Sequence, residues 1–174
     1  MGRRGVQPDE MQDELQPGAA AMTPLHPSQV SVLRIRTALA ALVLAALAFA
    51  LDIGPLRETM LPPFAVPALA VLLGLALVAV LPGRRYRRWA YCEGEDELQI
   101  RRGMLIRVRT IVPFGRVQHI DVAQGPIQRP FGLATLVLHT AGTHGASVQL
   151  PGLAHADAEA MRDRIRAKIR QDLV

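Results

Sequence analysis

The sequence predicts a two-helix transmembrane hairpin followed by a small, mainly β (α+β) domain. Three observations predict this fold class. Two long apolar runs lie in the first half of the chain, alternating apolar and polar residues follow, and a segment of helical period comes last. Half of the 174 residues are hydrophobic, and they concentrate between residues 37 and 81. This distribution is typical of a membrane segment joined to a globular module.

The N-terminal residues 1–27 lack any apolar period. They contain four prolines, four acidic residues and several small residues. Such a segment has too little apolar surface to offset the entropy lost on folding. We therefore expect residues 1–27 to be disordered.

The apolar runs within residues 28–83 predict the helical hairpin. The second apolar run, residues 61–81, has no charge and would extend about 31 Å as a helix, enough for a hydrocarbon core of about 30 Å. The first run reaches that length as residues 33–53, with Arg34 and Arg36 extending to the headgroups. A buried helix pair in a soluble protein is the alternative, and so is a signal peptide for the first run. Two such runs are hard to bury in so small a chain, and no cleavage motif follows the first.

Arginine predicts the orientation of the hairpin. Arg34 and Arg36 precede the first span, whereas the connecting loop has Arg57 beside Asp52 and Glu58. The second span is followed by four arginines, which are candidate contacts with the membrane surface: Arg84, Arg85, Arg87 and Arg88. The positive-inside rule then places both termini and residues 84–174 in the cytoplasm.

Residues 84–174 predict an antiparallel sheet domain. Period-two alternation and glycine punctuation predict six strands. These are residues 89–94, 96–103, 104–112, 116–124, 133–140 and 146–151. Within residues 104–112, one strand face is expected to carry Met104, Ile106, Val108, Thr110 and Val112, and the other Arg107 and Arg109.

The C-terminal segment has apolar residues three and four apart from Ala158 to Leu173, which predicts an amphipathic helix. Such a helix can cover the open end of a bent antiparallel barrel.

The order of these elements resembles that of the YdbS-like bacterial membrane proteins, which carry a bacterial pleckstrin-homology domain of the second type (bPH2). The resemblance covers about residues 25–170. Its motif positions are Ile100, Arg101, Gly103, Pro113, Arg116, Gln118, His119, Gln128, Arg129, Phe131, Gly132, Leu133, Thr140, Ala141 and Gly142. The resemblance implies a PH-like barrel of seven strands, so the seventh strand is expected within residues 125–130 or merged with another. It also implies the bacterial inner membrane and a partner with tandem bPH2 domains, and it supplies no catalytic residues.

A group of polar residues forms the candidate ligand, partner or fold-specifying motif: Arg107, Arg109, Arg116, Gln118, Gln128, Arg129 and Phe131. One interpretation is structural, because a turn-rich segment needs partners for its backbone groups. The other is a groove for an anionic headgroup or a peptide carboxylate, which arginine suits. We favour the structural interpretation, and we expect the Phe131 ring to be buried in the barrel core.

The sequence predicts no catalytic, cofactor-binding or metal site. His119 and Asp121 share a strand face, but they lack the spacing of a zinc motif. Cys92 is the single cysteine and has no electropositive setting. We therefore expect a non-enzymatic scaffold that binds another bPH2 membrane protein or a second copy of itself. A lipid-headgroup sensor is the main alternative, and a membrane enzyme is a weaker one.

Residues 84–174 carry 15 Lys or Arg against 9 Asp or Glu. For a tethered domain the nearest polyanion is the lipid bilayer, so nucleic acid is not expected as a partner.

Overall fold

The computed structural model describes residues 22–54, 57, 62, 64–104, 106–141 and 147–171. Its first half is a pair of adjacent helices, α1 (Gln29–Ile53) and α2 (Ala65–Tyr86). Both helices are long and apolar enough to cross a membrane. They approach closely at Gly74, where an added Cβ would lie 2.9 Å from the Cβ of Ala41. The small residue therefore lets the two backbones pack together.

Both helices are shifted from the predicted spans. Helix α1 begins at Gln29 rather than residue 33, and α2 covers Ala65–Tyr86 rather than residues 61–81. Phe64, with φ of 65°, precedes α2, and Pro67 lies in the first turn, where its missing N–H costs little. As a result the last turn of α2 includes Arg84 and Arg85, where a helix end favours positive charge.

The second half folds as two antiparallel sheets with the strand orders β1-β2-β3-β4 and β5-β6-β7. The strands are β1 (Thr23–Pro24), β2 (Ala90–Glu93), β3 (Glu97–Arg102), β4 (Val108–Pro113), β5 (Val117–Ala123), β6 (Leu133–Thr140) and β7 (Ser147–Ala154). Helix α3 (His155–Gln171) follows β7 directly. This architecture confirms the predicted helical hairpin with a PH-like domain.

The seventh strand is β1, so the prediction of disorder is wrong for Thr23 and Pro24, and the prediction of a strand within residues 125–130 is wrong as well. Thr23 pairs with Tyr91, and Leu25 is buried with 2% of its surface exposed. A strand of two residues has no period that could have predicted it, and its order comes from pairing with β2. Residues 1–21, the rest of the segment expected to be disordered, lie outside the described residues.

The predicted strand 104–112 is shorter in the structure, because β4 begins at Val108. Gly103 has φ of 118°, and a Cβ there would collide with the carbonyl group of Ile106, so only glycine permits this tight turn. The turn carries Met104 and Ile106 away from the core, with 41% and 76% of their surfaces exposed. The expectation that these two residues belong to the strand and share the face of Val112, which is buried, is therefore wrong.

Helix α3 closes the core, as its spacing predicts. Ala158, Met161 and Ile165 are buried in a core that contains residues of both sheets. The helix is fixed to the first sheet by Arg164, whose guanidinium donates to the Glu93 carboxylate over 2.8 Å. This hydrogen bond raises the pKa of Arg164, and burial raises that of the Tyr91 hydroxyl.

Candidate binding surface

Gln128 has a structural role within the candidate motif. Its side chain is 4% exposed. The Oε1 atom accepts a hydrogen bond from the Gly125 N–H, and Nε2 donates to the Thr135 hydroxyl, each over 3.0 Å. Its carbonyl accepts from the N–H groups of Phe131 and Leu133. These bonds hold the connection between β5 and β6 in one conformation.

The remaining motif residues do not converge on Gln128. Arg116, Gln118 and Arg129 are exposed. Arg107 precedes β4 and Arg116 follows it, so a strand of six residues, about 20 Å long, separates them. Arg109 donates from Nη2 to Oε1 of Gln99 over 2.6 Å. Arg107 and Arg116 are therefore too far apart to hold one small ligand together, and a headgroup pocket near Arg107 and Arg109 or near Arg116 stays a prediction.

The expectation that Phe131 is a core residue is wrong. It ends a short 3-10 turn and is half-buried. The buried phenylalanine is Phe114, which is 0% exposed and lies between β4 and β5. Leu133, directly after the Phe131 turn, is also 0% exposed and anchors that connection instead.

His119 and His139 lie on the outer face of the second sheet. Nε2 of His119 is 2.7 Å from one carboxylate oxygen of Asp121, and Nε2 of His139 is 3.2 Å from the other. All three side chains are largely exposed, so these contacts contribute little to stability. Within the described part of the chain, no group of three or more His, Cys, Asp and Glu is arranged to hold a metal ion.

Exposed apolar side chains concentrate at one place in the domain. Among the described residues outside the two long helices and Phe64, every exposed large hydrophobic side chain belongs to what we call the apolar hairpin: Met104, Ile106, Val108 and Ile111. The sequence analysis assigned Met104, Ile106 and Val108 to one strand face and did not select this surface as a candidate site. The signal that could have revealed it is Gly103, which marks a turn directly before the apolar positions.

The apolar hairpin includes a sheet edge. In the described part of the chain, β4 pairs with β3 and no strand lies on its other side. Ile111 is 49% exposed on the outer face, whereas the next residue, Val112, is buried in the core. An open edge with an apolar outer side chain can accept a strand from another protein.

A groove joins the apolar hairpin to the end of α2, and we call it the junction groove. It has a volume of about 410 Å³. Its lining comprises Leu81, Arg85, Arg88, Trp89, Arg102, Gly103, Met104 and Val108. Of the four arginines predicted to contact the membrane surface, Arg85 and Arg88 line this groove, while Arg84 and Arg87 are exposed elsewhere.

A hairpin of two apolar helices, joined to two antiparallel sheets and a closing helix, defines a PH-like protein with a membrane-type anchor. The bacterial PH domain family, bPH2, matches residues 30–169, and the chain belongs to this family. The match includes both helices and almost all of the sheet domain, which confirms the resemblance inferred from the motif. The family is not a known enzyme class.

A curated relative supports this assignment. The UPF0699 transmembrane protein YdbS of Bacillus subtilis (strain 168) is 38% identical over 95 residues. The aligned segment covers 54% of this chain and 58% of the relative. No solved structure matches the chain significantly.

Proposed function

We propose that this protein is a non-enzymatic interaction module anchored in the bacterial inner membrane. Helices α1 and α2 cross the bilayer, and the PH-like domain lies on the cytoplasmic side. The arginines support this orientation, because Arg34, Arg36 and Arg85 lie at the end of the helix pair that joins the domain. Arg57 lies beyond the opposite end of α1.

The attachment of the domain to the helices supports a scaffolding role. Leu25 is a core residue of the domain, and its carbonyl accepts a hydrogen bond from the Tyr86 hydroxyl over 2.9 Å. The His26 N–H donates to the Gly152 carbonyl over 2.8 Å, and Gln29 of α1 is buried beside Gly152. The domain is therefore held in one orientation, which suits the presentation of a fixed surface to another membrane protein.

The observation that carries the proposal is the open β4 edge with Ile111 exposed on it. The partner that this surface fits is another membrane protein whose cytoplasmic part adds a strand to β4. A protein with bPH2 domains, as the family resemblance implies, meets this description. Val108, the first residue of β4, lines the junction groove at the end of α2, so a partner in the membrane is within reach of this strand.

Photo-crosslinking in native membranes tests the proposal. A photoreactive residue at Ile111 of the full-length chain is expected to crosslink a second membrane protein. The same residue at Gln149, exposed on the other sheet, is the matched control. Ile111→Arg in a chain that carries the crosslinker at Arg109 should lower the yield about tenfold, as expected for a central interface residue.

Equal products from Ile111 and Gln149 would contradict a partner at β4. A crosslinked product with the mass of two copies of this chain would show that the partner at β4 is a second copy and not another protein.

A further inference from the structure

We propose that the junction groove binds an anionic phospholipid of the cytoplasmic leaflet. The lipid phosphate lies on Arg85, Arg88 and Arg102, and its acyl chains lie against Leu81, Met104 and Val108. This inference goes beyond the proposed partner, but it rests on the proposed insertion of α1 and α2 in the membrane.

The charge of the groove points to an anion. The lining has three arginines and, among the described residues, no Asp or Glu. These arginines come from three different places, the last turn of α2, the residues directly after it, and the end of β3. Guanidinium groups from separate elements can donate several hydrogen bonds to one phosphate.

The apolar part of the groove points to a lipid rather than a free phosphate. Met104 and Val108 are 41% and 40% exposed, although they are large apolar residues of a folded domain. Leu81, which also lines the groove, belongs to the apolar helix α2. A soluble anion would leave these side chains in water, whereas a phospholipid covers them with its acyl chains and pairs its phosphate with arginine.

The groove also continues toward the membrane. Leu81 and Arg85 line a second groove of about 450 Å³ between α1 and α2. That groove is lined further along α2 by Leu77, Leu73 and Ala70, which are all apolar. Arg36 of α1 lines the same groove, but Leu77, Leu73 and Ala70 carry no charge, so an acyl chain can extend from the junction groove along these residues of α2.

The position of the hairpin tip agrees with a place at the headgroups. Ile106 is 76% exposed and is followed by the exposed Arg107. An apolar side chain beside a basic one is typical of segments that lie in the membrane interface. The bilayer is thus the surface that accounts for both residues.

Lipid retention by the full-length protein tests the proposal. The protein is reconstituted in phosphatidylcholine vesicles that contain phosphatidylglycerol, extracted in mild detergent, and analysed by native mass spectrometry. The groove variant combines Arg85→Gln, Arg88→Gln and Arg102→Gln. The control combines Arg84→Gln, Arg87→Gln and Arg101→Gln, which remove the same charge from exposed neighbours outside the groove lining.

We expect the groove variant to lose about tenfold or more of the bound phosphatidylglycerol, and the control to retain it. Met104→Asp should reduce retention as well, and glycerol phosphate in excess should not displace the lipid.

Equal loss from the groove variant and the control would show attraction by diffuse charge and would overturn the site. Displacement of the bound lipid by glycerol phosphate would overturn the assignment of a phospholipid and would indicate a site for a free anion. Full retention by the groove variant, together with loss of the crosslink at Ile111, would assign the groove to the partner protein. Loss of the lipid site alone leaves the β4 proposal intact, because Ile111 does not line the groove.

Discussion

Phe114→Ala is expected to destabilise the PH-like domain by about 3–5 kcal/mol, the usual cost of removing a buried phenylalanine ring. Phe114 is 0% exposed and lies where the chain passes from the first sheet to the second. Lys168 of α3 lies over its ring, with the ammonium 5.2 Å from the ring centre. Because small domains are stable by about 5–15 kcal/mol, this loss would remove a large share of the free energy of unfolding.

Urea unfolding of the full chain in detergent measures this effect, with the fluorescence of Trp89 as the signal, since Trp89 packs against the core. Phe131→Ala is the matched control. Both phenylalanines stand in the tripeptide Pro-Phe-Gly, but Phe131 is half-buried, so its replacement should cost clearly less. Equal costs for the two variants would contradict the core described here.

Leu25→Ala is the second change with a large expected effect, about 2–5 kcal/mol. Leu25 precedes both long helices in sequence, but its side chain lies in the core of the sheet domain with 2% exposed. Its loss should open the domain at β1 and expose β2 to protease. Limited proteolysis in detergent measures this opening. Thr23→Ala, at an exposed position of β1, is the control.

The burial of Leu25 also shows that the core of the sheet domain includes a residue from outside the predicted domain of residues 84–174. A fragment of residues 84–174 lacks β1 and Leu25, so we expect it to be less stable than a domain that retains residues 22–28. If the fragment and the Leu25→Ala protein both unfold at the urea concentration of the full chain, Leu25 makes no contribution to the core.

The sequence predicted the long regular elements well, because local composition or local period specifies each of them. The apolar runs predicted α1 and α2, and the spacing of Ala158, Met161 and Ile165 predicted the buried face of α3. The alternation of residues 133–140 predicted β6 at its observed bounds. For α3 and β6 the local period and the tertiary burial agree, whereas α1 and α2 were predicted from their length and apolar composition.

The failures have one physical cause, which is that distant contacts decide the outcome. Phe114 and Phe131 have the same neighbours in sequence, and only the fold determines which ring is buried. Strand β1 exists because β2 offers it a pairing edge. Residues 104–108 have the alternation of a strand, but the turn at Gly103 places Met104 beside the end of α2 and leaves Ile106 exposed.

The candidate site was predicted in part. Arg85 and Arg88 were assigned to the membrane surface from their position after an apolar run, and they line the junction groove. Arg102, Met104 and Val108 were not selected, because nothing in the sequence places the β3–β4 turn beside Leu81. The structural interpretation of the motif fits Gln128, whose amide bonds hold its own loop.

We propose that the PH-like domain lies at the cytoplasmic face of a membrane that α1 and α2 cross. Cysteine labelling in intact cells tests this most directly. Cys92 is 7% exposed and would resist labelling on either side, so it is replaced by alanine. Single cysteines are then placed at Arg57 and Gln149, which are both exposed.

We predict that an impermeant maleimide labels the cysteine at position 57 in intact cells, and that it labels position 149 only after the membrane is permeabilised. Labelling of position 149 in intact cells, with position 57 protected, would contradict the orientation, and with it the lipid and the partner assigned to the cytoplasmic face.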